Sequence, residues 1–125
     1  MPIDTSLEFV PINIAVITIS DSRTKENDAS GDTLEKRIID TGHQMIKRTI
    51  IPDDVSKIKD TLNAMSKEKD IDCIITTGGT GLTGRDTTPE AVKEIANKHI
   101  DGFGELFRQV SFEKIGTSAI QSRAV

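Results

Sequence analysis

The chain has 125 residues, of which 35% are hydrophobic and 29% charged, with a net charge of -4 and no Trp or Tyr. These values predict one globular domain spanning residues 1–125, with an aliphatic core. The acidic balance and the shortage of aromatic residues argue against nucleic acid as a partner, because such surfaces are usually basic or stack bases on aromatic rings.

The first predicted element is a strand at residues 12 to 19, which are β-branched and almost continuously apolar. This pattern is typical of a strand in a parallel sheet that helices cover on both faces. A helix is predicted at residues 31 to 41, with Leu34, Ile38 and Ile39 on one side and Gly42 as its C-terminal cap.

A second strand is predicted at residues 44 to 51 and a second helix at about 55 to 67, where apolar residues recur at helical spacing. The third strand is predicted at 72 to 77 and is followed by a glycine-rich loop. Two more helices are predicted at about 89 to 97 and 103 to 110. Phe103, Leu106, Phe107 and Val110 share one face of the last helix.

The alternation of strands and helices predicts a three-layer α/β/α sandwich with a mostly parallel, Rossmann-like sheet. Ligands of such folds bind beyond the carboxyl ends of the strands. Here those ends carry acids, hydroxyls and glycines, so we expect one crevice lined by all three loops. The residues concerned are Ser20 and Asp21, then Asp53 and Asp54, then the glycine loop with Arg85 and Asp86.

The glycine loop, Thr76-Thr77-Gly78-Gly79-Thr80-Gly81, is a candidate anion site. Glycines allow a ligand to approach the main chain, and free amides and hydroxyls can bind phosphate oxygens. The helix after it has its own start signals, with Thr88 as predicted cap, Pro89 in the first turn and Glu90 near the positive end of the dipole. A tight connection that needs glycine for geometry alone is the alternative. No Gly-Lys-Ser or Gly-Lys-Thr follows, which excludes a kinase-type P-loop.

The acids also have structural alternatives. Asp54 is well placed to cap the second helix, which leaves Asp53 without a local structural role. Asp86 is interpreted as functional, since Thr88 already fits the cap, whereas Asp21 could form a local turn or contribute to the site. Carboxylates facing phosphates need a cation between them, and Mg²⁺ is the natural candidate.

Cysteine and histidine usage points to no special chemistry. Cys73 has no partner for an internal disulfide and lies in an apolar run, so it is predicted to be a core residue. His43 and His99 lack the spacing of zinc ligands. We expect neither a signal peptide nor a membrane-spanning helix, and therefore a cytoplasmic protein.

Several motifs together resemble the molybdenum cofactor biosynthesis proteins of the MoaB/MogA type, and the chain looks closer to MoaB. The motifs are Ile17 to Asp21, Ile51 to Asp53, Thr76 to Gly81, Arg85 to Glu90, Gly102 to Glu105 and Ser118 to Arg123. The match covers nearly the whole chain. Family members continue with another apolar strand and a Leu-Pro-Gly loop, so the resemblance implies that this C-terminal part is missing after Val125.

The resemblance implies a single molybdopterin-binding domain that transfers AMP from Mg-ATP to the molybdopterin phosphate and releases pyrophosphate. It implies catalytic roles for Asp53 and Asp86, with Mg²⁺ held between them and the triphosphate, and molybdopterin binding by Thr76 to Gly81. Ser20, Asp21, Pro89 and Glu90 are supporting residues, and Arg85 is expected to neutralise charge. Arg108 and Arg123 are weaker candidates that could instead form surface ion pairs. A homotrimer or homohexamer is implied, with other cofactor-assembly enzymes as further partners.

Three alternatives stay open. The chain could be a non-catalytic module that binds molybdopterin or acts in assembly. It could process nucleotides or dinucleotides, as the competence-damage-inducible proteins that share this domain do. A Rossmann dehydrogenase fits least, because Ser-Asp-Ser-Arg follows the first strand in place of Gly-x-Gly-x-x-Gly.

Overall fold

The computed structural model describes residues 2–125. Strands and helices alternate along most of the chain, followed by a helix and a short 3-10 helix. The elements are β1 (Asn13–Ile19), α1 (Ala29–Asp40), β2 (Gln44–Ile51), α2 (Val55–Ser66), β3 (Cys73–Thr77), α3 (Thr88–Ile95), α4 (Asp101–Ile115) and the 3-10 helix (Gly116–Gln121).

The sheet has the order β2-β1-β3, and both pairings are parallel. β1 is the central strand, with Ile14 beside Met45 on one side and Cys73 on the other. Its register with β2 shifts between Ile14 and Ala15. Because all strands run the same way, their carboxyl ends meet at one edge of the sheet.

The two faces of β1 form two separate aliphatic cores, which gives the predicted three layers. Ile14 and Val16 pack with Ile38 of α1 on one face. Ala15, Ile17 and Ile19 point to the other face, where they pack with residues of α2 and α3. This alternation follows from the two-residue period of a strand, and covering on both faces explains why the strand is apolar almost throughout.

Helix α1 begins at Ala29, two residues before the predicted start, because Asp28 caps it by accepting a hydrogen bond from the Gly31 N–H at 3.1 Å. The predicted inward face is partly wrong. Ile38 is buried, whereas Ile39 is 58% exposed. Gly42 has φ of 91°, as expected for the glycine that ends a helix.

The start of α2 matches the prediction, since Asp54 accepts a hydrogen bond from the Lys57 N–H at 2.9 Å. α4 is longer than predicted, and its apolar residues Phe103, Leu106, Phe107 and Val110 are each about half exposed. Cys73 is half-buried in β3, and burial raises the pKa of its thiol. None of the helices in residues 2–125 combines the length and apolarity needed to cross a membrane.

Candidate functional site

A cleft of about 330 Å³ opens at the carboxyl edge of the sheet. It is lined by the last residues of β1 and β3, by Asp53 just after β2, and by residues of the loops that follow β1 and β3. The lining residues are Thr18, Ile19, Ser20, Asp21, Arg23, Asp28, Ser30, Asp53, Thr77, Gly78, Gly79, Arg85 and Asp86. Parallel pairing therefore brings both predicted catalytic acids and part of the glycine loop to one cavity.

The glycine loop turns where β3 ends. Gly78 and Gly79 have φ of 94° and 64°, values that side-chain-bearing residues rarely adopt. The backbone also lies very close to its neighbours. A Cβ on Gly78 would be 2.1 Å from the Ile19 carbonyl oxygen, and one on Gly79 would be 2.1 Å from the Thr88 hydroxyl oxygen. Glycine is therefore required at both positions by conformation and by space.

Asp53 is buried, with only 6% of its surface exposed, at the boundary between the cleft and α3. Its Oδ1 accepts hydrogen bonds from the N–H and the hydroxyl of Thr87. Asp53 thus has a structural role that the sequence did not indicate. Its Oδ2 faces Gly79, where a Cβ would come within 2.8 Å of it.

Asp21 and Arg85 form an ion pair between the loop after β1 and the glycine-rich segment. The Arg85 Nε and Nη2 atoms lie 2.9 to 3.0 Å from the Asp21 carboxylate. The same carboxylate accepts a hydrogen bond from the Asp53 N–H at 3.0 Å. Hydrogen bonding from Arg85, then from Asp53, lowers the pKa of Asp21. Asp21 therefore links all three loops of the cleft, and the local turn is made instead by Ser20, whose hydroxyl accepts from Ser22 and Arg23.

Asp86 organises its own loop. Its Oδ2 accepts hydrogen bonds from the Thr83 N–H at 3.0 Å and from the Thr83 hydroxyl at 2.7 Å. The Thr83 hydroxyl makes the largest contribution to lowering the pKa of Asp86, which keeps the carboxylate ionised. Asp86 is half-buried and lines the cleft.

The predicted cap of α3 is wrong. The helix begins at Thr88, Thr87 occupies the N-cap position, and the Thr87 side chain makes no capping bond. The two hydroxyls are used in tertiary contacts: Thr87 donates to Asp53, and Thr88 donates to the Gly78 carbonyl at 3.0 Å. Pro89 does lie in the first turn.

Five of the predicted site residues lie outside the cleft lining. Thr76 is inside β3, paired with Ile17. Pro89 is buried in α3. Thr80, Gly81 and Glu90 are exposed, and Arg123 contacts the carbonyl oxygen of Thr80 and the carboxylate of Glu90. The lining thus includes Thr77, Gly78 and Gly79 but not the other half of the glycine motif.

The sequence analysis missed Asp28, a buried acid at the start of α1 that also lines the cleft. Its Oδ2 accepts from the Thr18 hydroxyl at 2.8 Å and from the Arg48 guanidinium at 3.0 Å. Arg48 also pairs with Asp32 and Glu35. An Asp at a helix start is a recognisable signal, but the predicted helix began at residue 31 and so excluded it.

The donor chemistry of the cleft fits a hard cation bound together with a phosphate ligand. Asp53 and Asp86 both line the cavity, and Mg²⁺ is usually held by one or two carboxylates plus phosphate oxygens. In the described part of the chain, no group of three or more His, Cys, Asp or Glu side chains has the arrangement of a metal site. A cation would therefore depend on ligand oxygens for the rest of its coordination.

These features define a doubly wound α/β domain with a glycine-rich, acid-lined cleft at the carboxyl edge of its sheet. Residues 15–125 match the family model described as "Probable molybdopterin binding domain", and the chain belongs to that family. The match includes every residue of the cleft lining.

Individual relatives agree with this assignment. Molybdenum cofactor biosynthesis protein B of Escherichia coli (strain K12) is 41% identical over 120 residues, which cover 96% of this chain and 71% of the relative. A protein of Methanocaldococcus jannaschii named "Probable molybdopterin adenylyltransferase" is 41% identical over 121 residues, covering 91% of this chain and 71% of that protein. A crystal structure of molybdenum cofactor biosynthesis protein B superposes with a TM-score of 0.85 at 41% identity, covering 89% of this chain and 70% of the other.

Proposed function

We propose that this chain acts in molybdenum cofactor biosynthesis, where it binds molybdopterin and transfers AMP to it from ATP. The observation that carries the proposal is the placement of Asp53 and Asp86 in one cleft with Gly78 and Gly79. Family membership and the relative named as an adenylyltransferase support it. Residues 1–125 would form the molybdopterin-binding domain.

In the proposed reaction an oxygen of the molybdopterin phosphate attacks the α-phosphorus of ATP. A new P–O bond forms, the bond between the α-phosphorus and the bridging oxygen breaks, and pyrophosphate leaves. The protein supplies position and charge, since phosphoryl-type transfer needs little covalent work from side chains. The main-chain amides at Gly78 and Gly79 and the Thr77 hydroxyl would orient the molybdopterin phosphate.

Asp53 and Asp86 would hold Mg²⁺ against the triphosphate, and Mg²⁺ would neutralise charge on the phosphate oxygens. Asp53 is suited to this role because Thr87 fixes one of its oxygens while the other faces Gly79. Arg85 would add positive charge at the cleft, held in place by Asp21. The wider glycine motif, Thr76 to Gly81, and the supporting residues Ser20, Pro89 and Glu90 would shape the loops.

The test is pyrophosphate release with Mg-ATP, with and without molybdopterin, in Asp53→Asn and Asp86→Asn variants. We expect molybdopterin-dependent release by the natural sequence, and binding without release by both variants. Asp70→Asn is the matched control, because Asp70 is exposed and lies in the turn before β3, whereas the cleft is at the carboxyl end of that strand. Turnover equal to that of the natural sequence in both variants contradicts the catalytic assignment.

A second candidate function is non-catalytic molybdopterin binding or a role in assembly. It is favoured by the hydrogen bonds that Thr87 and Thr83 give to the two acids, since these explain both carboxylates without catalysis. Tight molybdopterin binding with no pyrophosphate release by the natural sequence would support this candidate.

We further propose a cytoplasmic homotrimer or homohexamer that passes its product to other cofactor-assembly enzymes. The half-exposed apolar residues of α4, including Phe103 and Phe107, provide a surface that subunit contacts could cover. Light scattering after size-exclusion chromatography measures the assembly, and a monomer at micromolar concentration contradicts it. Cell fractionation measures the location.

A further inference from the structure

Arg123 reaches back from the segment after the 3-10 helix to the glycine-rich loop. Its Nε donates to the Thr80 carbonyl oxygen at 3.2 Å, and its Nη2 donates to the Asp86 carbonyl oxygen at 2.9 Å. Its Nη1 pairs with the Glu90 carboxylate in the first turn of α3. All three guanidinium nitrogens therefore bind acceptors, and only 27% of the side chain is exposed.

The acceptors lie at both ends of the loop from Thr80 to Asp86 and at the start of the helix that follows. Arg123 thus spans this loop and joins it to α3. The bonds between Asp86 and Thr83 have a different effect, because they fix the Asp86 carboxylate within the loop and leave the position of the loop on the sheet undetermined. Residues 80–85 are exposed, so apart from the ion pair between Arg85 and Asp21 they have few contacts of their own to hold them.

Arg123 is itself held by α4. The neighbouring Ser122 carbonyl accepts a hydrogen bond from Arg108 at 3.2 Å. On the other side, the backbone packs so closely on the buried Gly104 that a Cβ there would be 2.6 Å from the Ala124 carbonyl oxygen. Helix α4 therefore fixes the segment from which Arg123 extends. A continuous series of contacts connects α4, Arg123 and the loop from Thr80 to Asp86.

We infer that Arg123 is a positioning residue that sets the place of Asp86 in the cleft. The expected effect on AMP transfer rests on the proposed function, whereas the expected effect on the position of the loop does not depend on it. A planar guanidinium with donors in a fixed fork can serve three separated acceptors, whereas the single ammonium of lysine cannot. Arg123→Lys therefore keeps the positive charge but cannot make all three contacts, with Thr80, Asp86 and Glu90, at once.

The experiment compares Arg123→Lys and Arg123→Met with the natural sequence by amide hydrogen–deuterium exchange and by steady-state AMP transfer. Arg37→Met is the matched control, because Arg37 is an exposed arginine near the end of α1. We expect exchange within residues 80–87 to rise severalfold in both Arg123 variants while β1 keeps its protection. We expect kcat to fall about tenfold to hundredfold with the KM for ATP little changed, because a displaced acid costs catalysis more than binding.

The exchange and kinetic results each support or overturn the positioning role of Arg123. Unchanged exchange in residues 80–87 of Arg123→Lys overturns the inference, and so does an equal rise in exchange throughout β1, which would show a general loss of stability. If the natural sequence transfers no AMP, the proposed reaction fails, and the exchange data still decide whether Arg123 positions the loop. If transfer occurs and Arg123→Lys retains full kcat, the positioning role in catalysis is wrong.

Discussion

Asp53 and Thr87 are joined by two hydrogen bonds, in which Asp53 Oδ1 accepts from the Thr87 N–H at 3.1 Å and from its hydroxyl at 2.7 Å. A buried acid at the end of one strand thereby meets the residue that precedes α3. This contact links the loop after β2, which lines the cleft, to the start of α3. The contribution of each of the two donors can be tested separately.

Thr87→Val removes the hydroxyl donor and leaves the N–H donor in place. Hydrogen bonds to charged groups contribute about 1.5 to 3 kcal/mol, so we expect the free energy of unfolding to fall by about that amount. Thr87→Ser keeps the hydroxyl and should stay close to the natural sequence. Urea unfolding measures both, and equal stability of the two variants would show that this bond contributes little.

Gly78→Ala should destabilise the fold by about 1 to 3 kcal/mol, because it forces a side chain into a left-handed backbone conformation. Collision with the Ile19 carbonyl adds to this cost. Gly84→Ala is the control, since a Cβ there would meet nothing within 4 Å. Thermal unfolding should separate the two variants clearly. A similar melting temperature for both would contradict the geometry described for Gly78.

Asp28 should make the free energy of unfolding depend on pH in the acid range. Burial alone would raise its pKa, but hydrogen bonds from Thr18, Gly31 and Arg48 outweigh this and hold the pKa below its usual 3.8. Because the pKa is lower in the folded than in the unfolded state, the stabilising contribution is complete above the unfolded value and is lost as the pH falls through the folded value.

We therefore expect the free energy of unfolding of the natural sequence to fall as the pH drops below about 4, with a smaller fall for Asp28→Asn. Asp21 and Asp86 also have lowered pKa values, so some acid dependence should persist in the variant. Denaturant unfolding at a series of pH values measures the difference. Parallel curves for the two proteins would contradict a role for Asp28.

Asp54 gives a simple test of helix capping. Asp54→Ala removes the acceptor of the Lys57 N–H and should lower stability by about 1 kcal/mol, whereas Asp54→Asn retains an oxygen acceptor and should cost less. Both changes lie on an exposed side chain, so packing is not disturbed. If Ala and Asn have the same effect, the hydrogen bond is not what stabilises this helix start.

The sequence predicted β1 well because burial on both faces leaves a nearly unbroken apolar run there. Parallel order then placed Asp21, Asp53 and Asp86 near one edge of the sheet. Local signals also located the cap at Asp54, whose partner is only three residues away. These features depend on neighbours in the chain or on a repeating pattern, and both can be read from residues alone.

The errors concern partners that only the folded chain supplies. Threonine is a favoured residue at a helix N-cap, yet the Thr88 hydroxyl donates to the Gly78 carbonyl because the loop brings that carbonyl close. Asp53 had no visible local role because its donor, Thr87, is 34 residues away. The surface ion pair considered for Arg123 does form with Glu90, but the two carbonyl contacts that accompany it leave no pattern in the sequence.

The carbonyl contacts of Arg123 also have an evolutionary consequence. Any residue at position 80 or 86 supplies a carbonyl oxygen, so substitutions there need no compensating change at position 123. Correlated variation among related proteins should therefore connect position 123 with position 90, whose side chain takes part, and should miss the two positions that the arginine holds through the main chain.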